Sequence, residues 1–180
     1  MYYLKTFILF LFIGINICLA QNPYSVEYNV ESGLPTSNIY ASFQDHKGYI
    51  WFATDVGVLK FNGYEFTHFN TDHGLADNEV FRIFEDSKQR IWFLTLNGKL
   101  SYYKNGKFTN TKTSKNLKNA SHQKMIIDFF EDEDGTLYFL FRDGKVSILS
   151  PDLNSLKFHH NTSPTYSIFK QNNKIKFLST

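Results

Sequence analysis

Cysteine is almost missing from this chain: Cys18 is the only one in 180 residues. A disulfide framework and a Cys-based zinc site are thereby excluded. An excess of charge of either sign is missing as well, since 19 Lys and Arg face 17 Asp and Glu. That balance rules out a nucleic-acid binder working through bulk charge, and it rules out an acidic disordered chain. Beyond the N-terminus there is no long apolar run and no sustained 3.6-residue apolar period, so no long helix is expected there. What is present in quantity is aromatic: 19 Phe and 11 Tyr raise the aromatic share to 18%. A near-neutral chain of this kind is globular and of β type.

The N-terminus reads as an address. Lys5 is followed by an almost wholly apolar stretch over 6–19, and Cys18 and Ala20 are small residues at −3 and −1 of a cut before Gln21. This charged, apolar, small order is that of a secretory signal peptide over 1–20. The stretch is short for a bilayer span, and Ile17 is too large for a lipoprotein-type cut before Cys18. Cleavage removes Lys5 and Cys18 together, so the exported chain, 21–180, does without disulfides.

Internal repetition organises the remainder. GLPTSNIYASFQD at 33–45 recurs 41 residues later as GLADNEVFRIFED at 74–86, and the register continues without a gap through IWFAT at 50–54 and IWFLT at 91–95. Gly57 and Leu59 match Gly98 and Leu100. A third copy, beginning MIIDFFED at 125–132 and continuing through Gly135, Tyr138 and Gly144, follows at a spacing of 46. Its extra length falls in a lysine-rich stretch, 112–124, expected to be a solvated, mobile loop. A fourth copy starts at Tyr166. Within each copy, short runs rich in Ile, Val, Phe, Tyr and Trp are punctuated by Asn-Gly and Asp-Gly pairs such as Asn62-Gly63 and Asp143-Gly144. Those pairs supply the positive φ that tight hairpins need.

Four antiparallel strands in about 40–45 residues are the arithmetic of a β-propeller blade. The expected fold is therefore all-β, an incomplete propeller of about three and a half blades near 33–70, 74–111, 122–160 and 164–180. The stretch 24–30 reads as a spare strand of the kind that completes a last blade. A blade cannot bury either face alone, so Trp51, Trp92 and Tyr138, at one position of the second strand, are expected in the core between blades.

The pattern G-L-P, Asp45, Gly48, Trp51, Thr54, Gly57 and Gly63 resembles the two-component regulator propeller repeat, strongly over 33–108 and more weakly over 125–180. Copy three departs by carrying Tyr138 in place of the tryptophan and by lacking the Gly-Leu-Pro opening. The resemblance implies the extracytoplasmic sensor region of a Bacteroidetes-type sensor histidine kinase, with about seven blades, an inner-membrane span and a cytoplasmic kinase. It implies ATP and Mg for that kinase, a response regulator downstream and a homodimeric parent, with no cofactor in these residues and no nucleic-acid partner. On this reading the 180 residues are the N-terminal, periplasmic piece of a longer protein. The alternatives are a truncated gene product, a stand-alone exported binding or scaffold protein, and an exported propeller enzyme.

No catalytic residue and no metal site is identified. Placing Gly135 at position six of a calcium loop puts Phe130 and Phe141 at ligand positions, which excludes that site. Asp45 with Gly48, Asp86, and Asp132 with Gly135 are instead read as turn residues of each first hairpin. His159 and His160 are adjacent on a strand and face opposite ways. His46, His68, His73 and His122 lack a spaced Asp or Ser partner. Ligand contacts are expected from loops at one mouth of the channel, with Asn38, Asp55, Asn78, Asn97 and Arg142 as binding candidates. Short polar side chains of that kind suit an extracytoplasmic hydroxyl-bearing ligand such as a glycan.

Overall fold

The structure is a computed structural model that describes residues 3, 26–31, 33–160, 165–172 and 174–179; the signal-peptide reading of 1–20 lies outside them, Tyr3 apart. Each of the first three repeats folds into a four-stranded antiparallel meander. The first blade comprises β1 (Ile39–Gln44), β2 (Ile50–Thr54), β3 (Val58–Phe61) and β4 (Phe66–Phe69). The second comprises β5 (Val80–Glu85), β6 (Ile91–Thr95), β7 (Leu100–Lys104) and β8 (Lys107–Asn110). The third comprises β9 (Ile126–Glu131), β10 (Leu137–Phe141), β11 (Lys145–Leu149) and β12 (Leu156–His160). A hairpin of β13 (Thr165–Gln171) and β14 (Lys174–Ser179) begins a fourth. The fold is all-β and propeller-like, as the repeat arithmetic requires.

Alternation along the second strand joins blade to blade. In β6, Ile91 and Phe93 enter the core shared with Trp51, Ala53 and Val58 of blade one. Trp92 and Leu94 enter the core shared with Leu137, Phe139 and Phe141 of blade three. Side chains on a strand point to opposite faces in turn, so a strand sandwiched between two blades is buried on both faces: all five residues of β6 are buried and the first four are apolar. The contact repeats with the sequence: Trp51 lies 5.6 Å from Phe93, and Trp92 lies 5.3 Å from the equivalent Phe139.

A polar strap repeats beside this core. Glu85, closing β5, accepts the His46 backbone N–H at 2.8 Å and also meets the His46 ring. Glu131, closing β9, accepts the Ser87 backbone N–H at 3.0 Å. Each last residue of a first strand thus ties down the preceding blade's first hairpin.

Inside the first hairpins of blades one and two a single carboxylate organises the turn. Asp45 Oδ1 accepts the Lys47 and Tyr49 amides, and its Oδ2 accepts Trp51 Nε1 at 2.8 Å. Asp86 does the same for Lys88, Arg90 and Trp92. Gly57 and Gly98 occupy one repeat position, after β2 and β6, and both have positive φ, 128° and 74°. A Cβ at Gly98 would stand 2.1 Å from the Lys124 carbonyl oxygen. Gly98→Ala therefore combines left-handed strain, about 1–2 kcal/mol, with a clash that neighbouring backbone must relieve. We expect a urea midpoint lowered by the equivalent of about 2–4 kcal/mol, whereas an unchanged midpoint would show that the 97–98 turn is free to move.

One expectation is corrected. The stretch 112–124 is not a free loop: it carries a short helix, α1 (Lys115–Ala120), whose Leu117 and Ala120 are fully buried in the core between blades two and three. Ser114 caps it by accepting the Leu117 N–H, and the three-residue spacing of Leu117 and Ala120 puts both on its inner face. Residues 26–30, part of the stretch read as a spare strand at 24–30, pair with none of the described blades. Lacking a ladder partner, the segment curls, with the Gly33 N–H donating to Val30 O and Leu34 N–H to Asn29 O. Tyr28 sets its ring edge-on against Phe61 and Phe66 of blade one.

Candidate functional site

The loop leading into each first strand and the loop after each second strand lie at one end of the sheets. In blade one Asn38 Nδ2 donates to Asp55 Oδ2 at 2.7 Å. In blade two Asn97 Nδ2 donates to Asp77 Oδ2, which also takes Lys99 Nζ at 2.9 Å. Both blades therefore clasp their two mouth loops together with a carboxylate and an amide, although the two residues exchange loops between blades.

These clasps hold the carboxylates ionised. Hydrogen bonds from Asn38 and then Thr36 pull the Asp55 carboxyl below its ordinary value. Burial pushes the Asp77 carboxyl up, but hydrogen bonds from Lys99, the Glu79 amide and Asn97 together outweigh it. One oxygen of Asp55, Oδ1, is enclosed without a hydrogen-bond partner among the described residues.

The other candidates are placed differently. Asn78 Oδ1 accepts the Thr71 N–H at 2.9 Å and so fixes the 3-10 turn Thr71–His73 that joins blades one and two. Arg142 is exposed in the turn after β10, its backbone N–H donating to Met125 O. Its neighbour Asp143 pairs with Lys145 at 3.2 Å. Trp51 and Trp92 are fully buried, while Tyr138 is only half-buried. Asp132 accepts Lys170 Nζ at 2.6 Å, where Asp45 and Asp86 hold a tryptophan.

Histidine chemistry is limited by its neighbours. Ser147 Oγ lies 3.3 Å from His122 Nε2, yet it is fully buried and donates its proton to Ala120 O at 2.7 Å. That arrangement leaves no hydroxyl for the imidazole to activate. His159 and His160 line a cleft of about 330 Å³ with His122, Lys145 and Phe158. No grouping of three metal-ligating side chains occurs among the described residues, nor is any helix there long and apolar enough to cross a membrane.

Burial pushes the His122 imidazole below its ordinary 6.5, Lys145 adds to the shift, and Asp143 opposes it. Below pH 6.5 the unfolded chain binds a proton that the folded chain refuses, so stability falls as pH drops from 6.5 towards the lowered value. His122→Gln should flatten the urea midpoint between pH 7 and 5; an unaltered slope would assign the loss elsewhere.

Residues 33–56 and 74–97 match the two-component regulator propeller family, the two copies of the GL-to-Thr pattern that set the mouth loops and the tryptophans. These two segments are similar to two-component regulator propeller repeats. No curated protein matches the sequence. Among solved structures, the extracellular domain of the hybrid two-component system BT4673 of B. thetaiotaomicron superposes with a TM-score of 0.62 at 20% identity, over 77% of this chain and 21% of that one. Virginiamycin B lyase of Staphylococcus aureus superposes with a TM-score of 0.60 at 16% identity, over 79% of this chain and 49% of that one. At these identities the likeness is one of fold. The chain thus spans about a fifth of the BT4673 extracellular domain and about half of the lyase. The regulator propeller repeats explain which residues recur: Asp45 and Asp86 for the hairpin, Thr54 and Thr95 for the mouth turn, where Thr54 Oγ1 donates to Gly57 O at 2.8 Å and Thr95 Oγ1 to Lys99 O at 2.9 Å.

Proposed function

We propose that the chain is the extracytoplasmic sensing portion of a two-component sensor histidine kinase, exported behind its N-terminal apolar segment and facing the periplasm. The observation that carries this reading is the pair of two-component regulator propeller repeats at 33–56 and 74–97. The propeller-like stacking of the blades and the fold likeness to an extracellular sensor-type domain support it. In this reading the remaining blades, the inner-membrane span and the kinase belong to the same polypeptide, the kinase uses ATP and Mg, and a response regulator receives the phosphoryl group.

Ligand contact falls to the mouth loops: Asn38, Asp55, Asn78, Asn97 and Arg142 offer three amides, a carboxylate and a guanidinium, a set suited to the hydroxyls of a glycan. Occupancy would act through the clasps, because a ligand hydroxyl that engages Asp55 or Asn97 competes with the bond joining the two loops. Sequencing the locus for about three kilobases past the Thr180 codon tests the reading. A frame running on through further blades, an apolar span and kinase motifs is expected. A stop directly after Thr180, with no kinase resuming in any frame, would leave an exported β-propeller binding protein instead.

A further inference from the structure

Three lysines converge at the seam of blades one and two, on the hairpin side, opposite the mouth loops. A cleft of about 150 Å³ there is bounded by the first hairpin of blade one, by β3 and by both hairpins of blade two. Sites for drug-sized ligands span about 300–1,000 Å³, so only a small group fits.

The charge inventory of this cleft is unbalanced. Lys47, Lys60 and Lys104 line it, and none of them is in an ion pair among the described residues. Asp45 is the one lining carboxylate, and both its oxygens are occupied by the Lys47 and Tyr49 amides and by Trp51 Nε1. His46 is turned to Glu85.

Lys60 is also held in place. Its Nζ sits 3.5 Å from the Tyr49 ring centroid, with Trp51 and Tyr103 at 5.6 and 5.8 Å. Ring faces attract and orient an ammonium but supply no counter-charge. Burial pushes this ammonium below its ordinary value; Asp45 resists the shift and the Lys47 charge adds to it. Burial likewise pushes the Tyr103 phenol up, with nearby Tyr49 and Asp45 contributing, so at neutral pH it keeps its proton and can donate.

We infer that this inter-blade cleft binds a small oxyanion, a carboxylate, sulfate or phosphate group, with Lys60 as its fixed cation and Lys47 and Lys104 closing over it. The anion supplies counter-charge beyond the single Asp45 carboxylate that faces three lysines, and the Tyr103 hydroxyl supplies a neutral hydrogen bond. The site spans two blades, so occupancy also staples them. It does not depend on the sensing role, and its failure would leave that reading untouched.

Calorimetric titration of the full chain with sodium sulfate, inorganic phosphate and acetate, at ionic strength held constant with chloride, tests the inference. Saturable binding of at least one of the three is expected, with the order among them telling tetrahedral anion from carboxylate. Lys60→Gln should weaken it at least tenfold, and Lys112→Gln, on an exposed position after β8, should not. Equal binding by Lys60→Gln, or no saturable binding by the parent chain, would overturn it. Should Lys60→Gln lose the β-sheet circular dichroism of the parent, the double variant Lys47→Gln/Lys104→Gln, on exposed positions, takes its place with an expected loss of at least threefold; unchanged affinity there would count against the site equally.

Discussion

Asp86→Ala should cost about 3–5 kcal/mol of stability, the toll of stranding a buried charge, and Asp45→Ala at the equivalent hairpin about 1–3 kcal/mol, the toll of unmade hydrogen bonds. Both aspartates hold the same two amides and a tryptophan N–H. Asp86 additionally accepts Arg90 Nε at 2.5 Å, with Arg90 6% and Asp86 0% exposed at the side chain. Arg90 continues to Pro151 O of blade three at 2.9 Å, and its Nη2 has no partner among the described residues. Removing Asp86 thus leaves an enclosed guanidinium with one carbonyl and the Trp92 and Tyr102 rings, and no counter-charge in contact among the described residues, whereas Tyr49 at the matching place in blade one carries no charge. Asp86→Ala/Arg90→Met should recover much of the loss, because the two charges leave together. Urea unfolding of the three variants measures this; a double variant no better than Asp86→Ala would show that the hairpin bonds, and not the stranded charge, set the cost.

Trp92→Ala should cost about 3–5 kcal/mol, the range for emptying an aromatic site in a core. Trp92 is fully buried and touches its own blade through Phe84 and Tyr102 and the next through Phe139. The loss therefore opens a void at a seam between blades, where neither sheet can close it alone. Tyr138→Ala, at the same repeat position in blade three, should cost distinctly less, since that ring is half-buried. Thermal or urea midpoints that fall equally for the two would mean that the repeat position, and not the depth of burial, decides the energy.

The gapless 41-residue spacing made the blades, the hairpin aspartates and the two tryptophans legible, because each is a local pattern that recurs. What the sequence does not display is what stacking alone creates. His46 looks solitary in the chain; its partner Glu85 stands 39 residues away, and the two meet because β5 lies against β1. Lys60 reads as an ordinary strand lysine until Tyr103 of the next blade closes the ring of aromatics around it. The α1 helix has a local signal, Ser114 as a cap followed by Leu117 and Ala120, but the surrounding lysines mask so short a pattern. The stretch 24–30 reads as a spare strand for a last blade, and a strand exists only with a hydrogen-bonded neighbour. At the mouth, residue types identified the polar positions, while the pairing of Asn38 with Asp55 and Asn97 with Asp77 appears only in three dimensions.

The sensing assignment is tested most directly on the native protein. Antibodies raised against 33–160 would be used to isolate the polypeptide from envelope membranes, which is then incubated with radiolabelled ATP and Mg. A membrane-anchored polypeptide far larger than 21.0 kDa that carries acid-labile, base-stable phosphate on histidine is the predicted result. A freely soluble protein near that mass, taking up no phosphate, would contradict it.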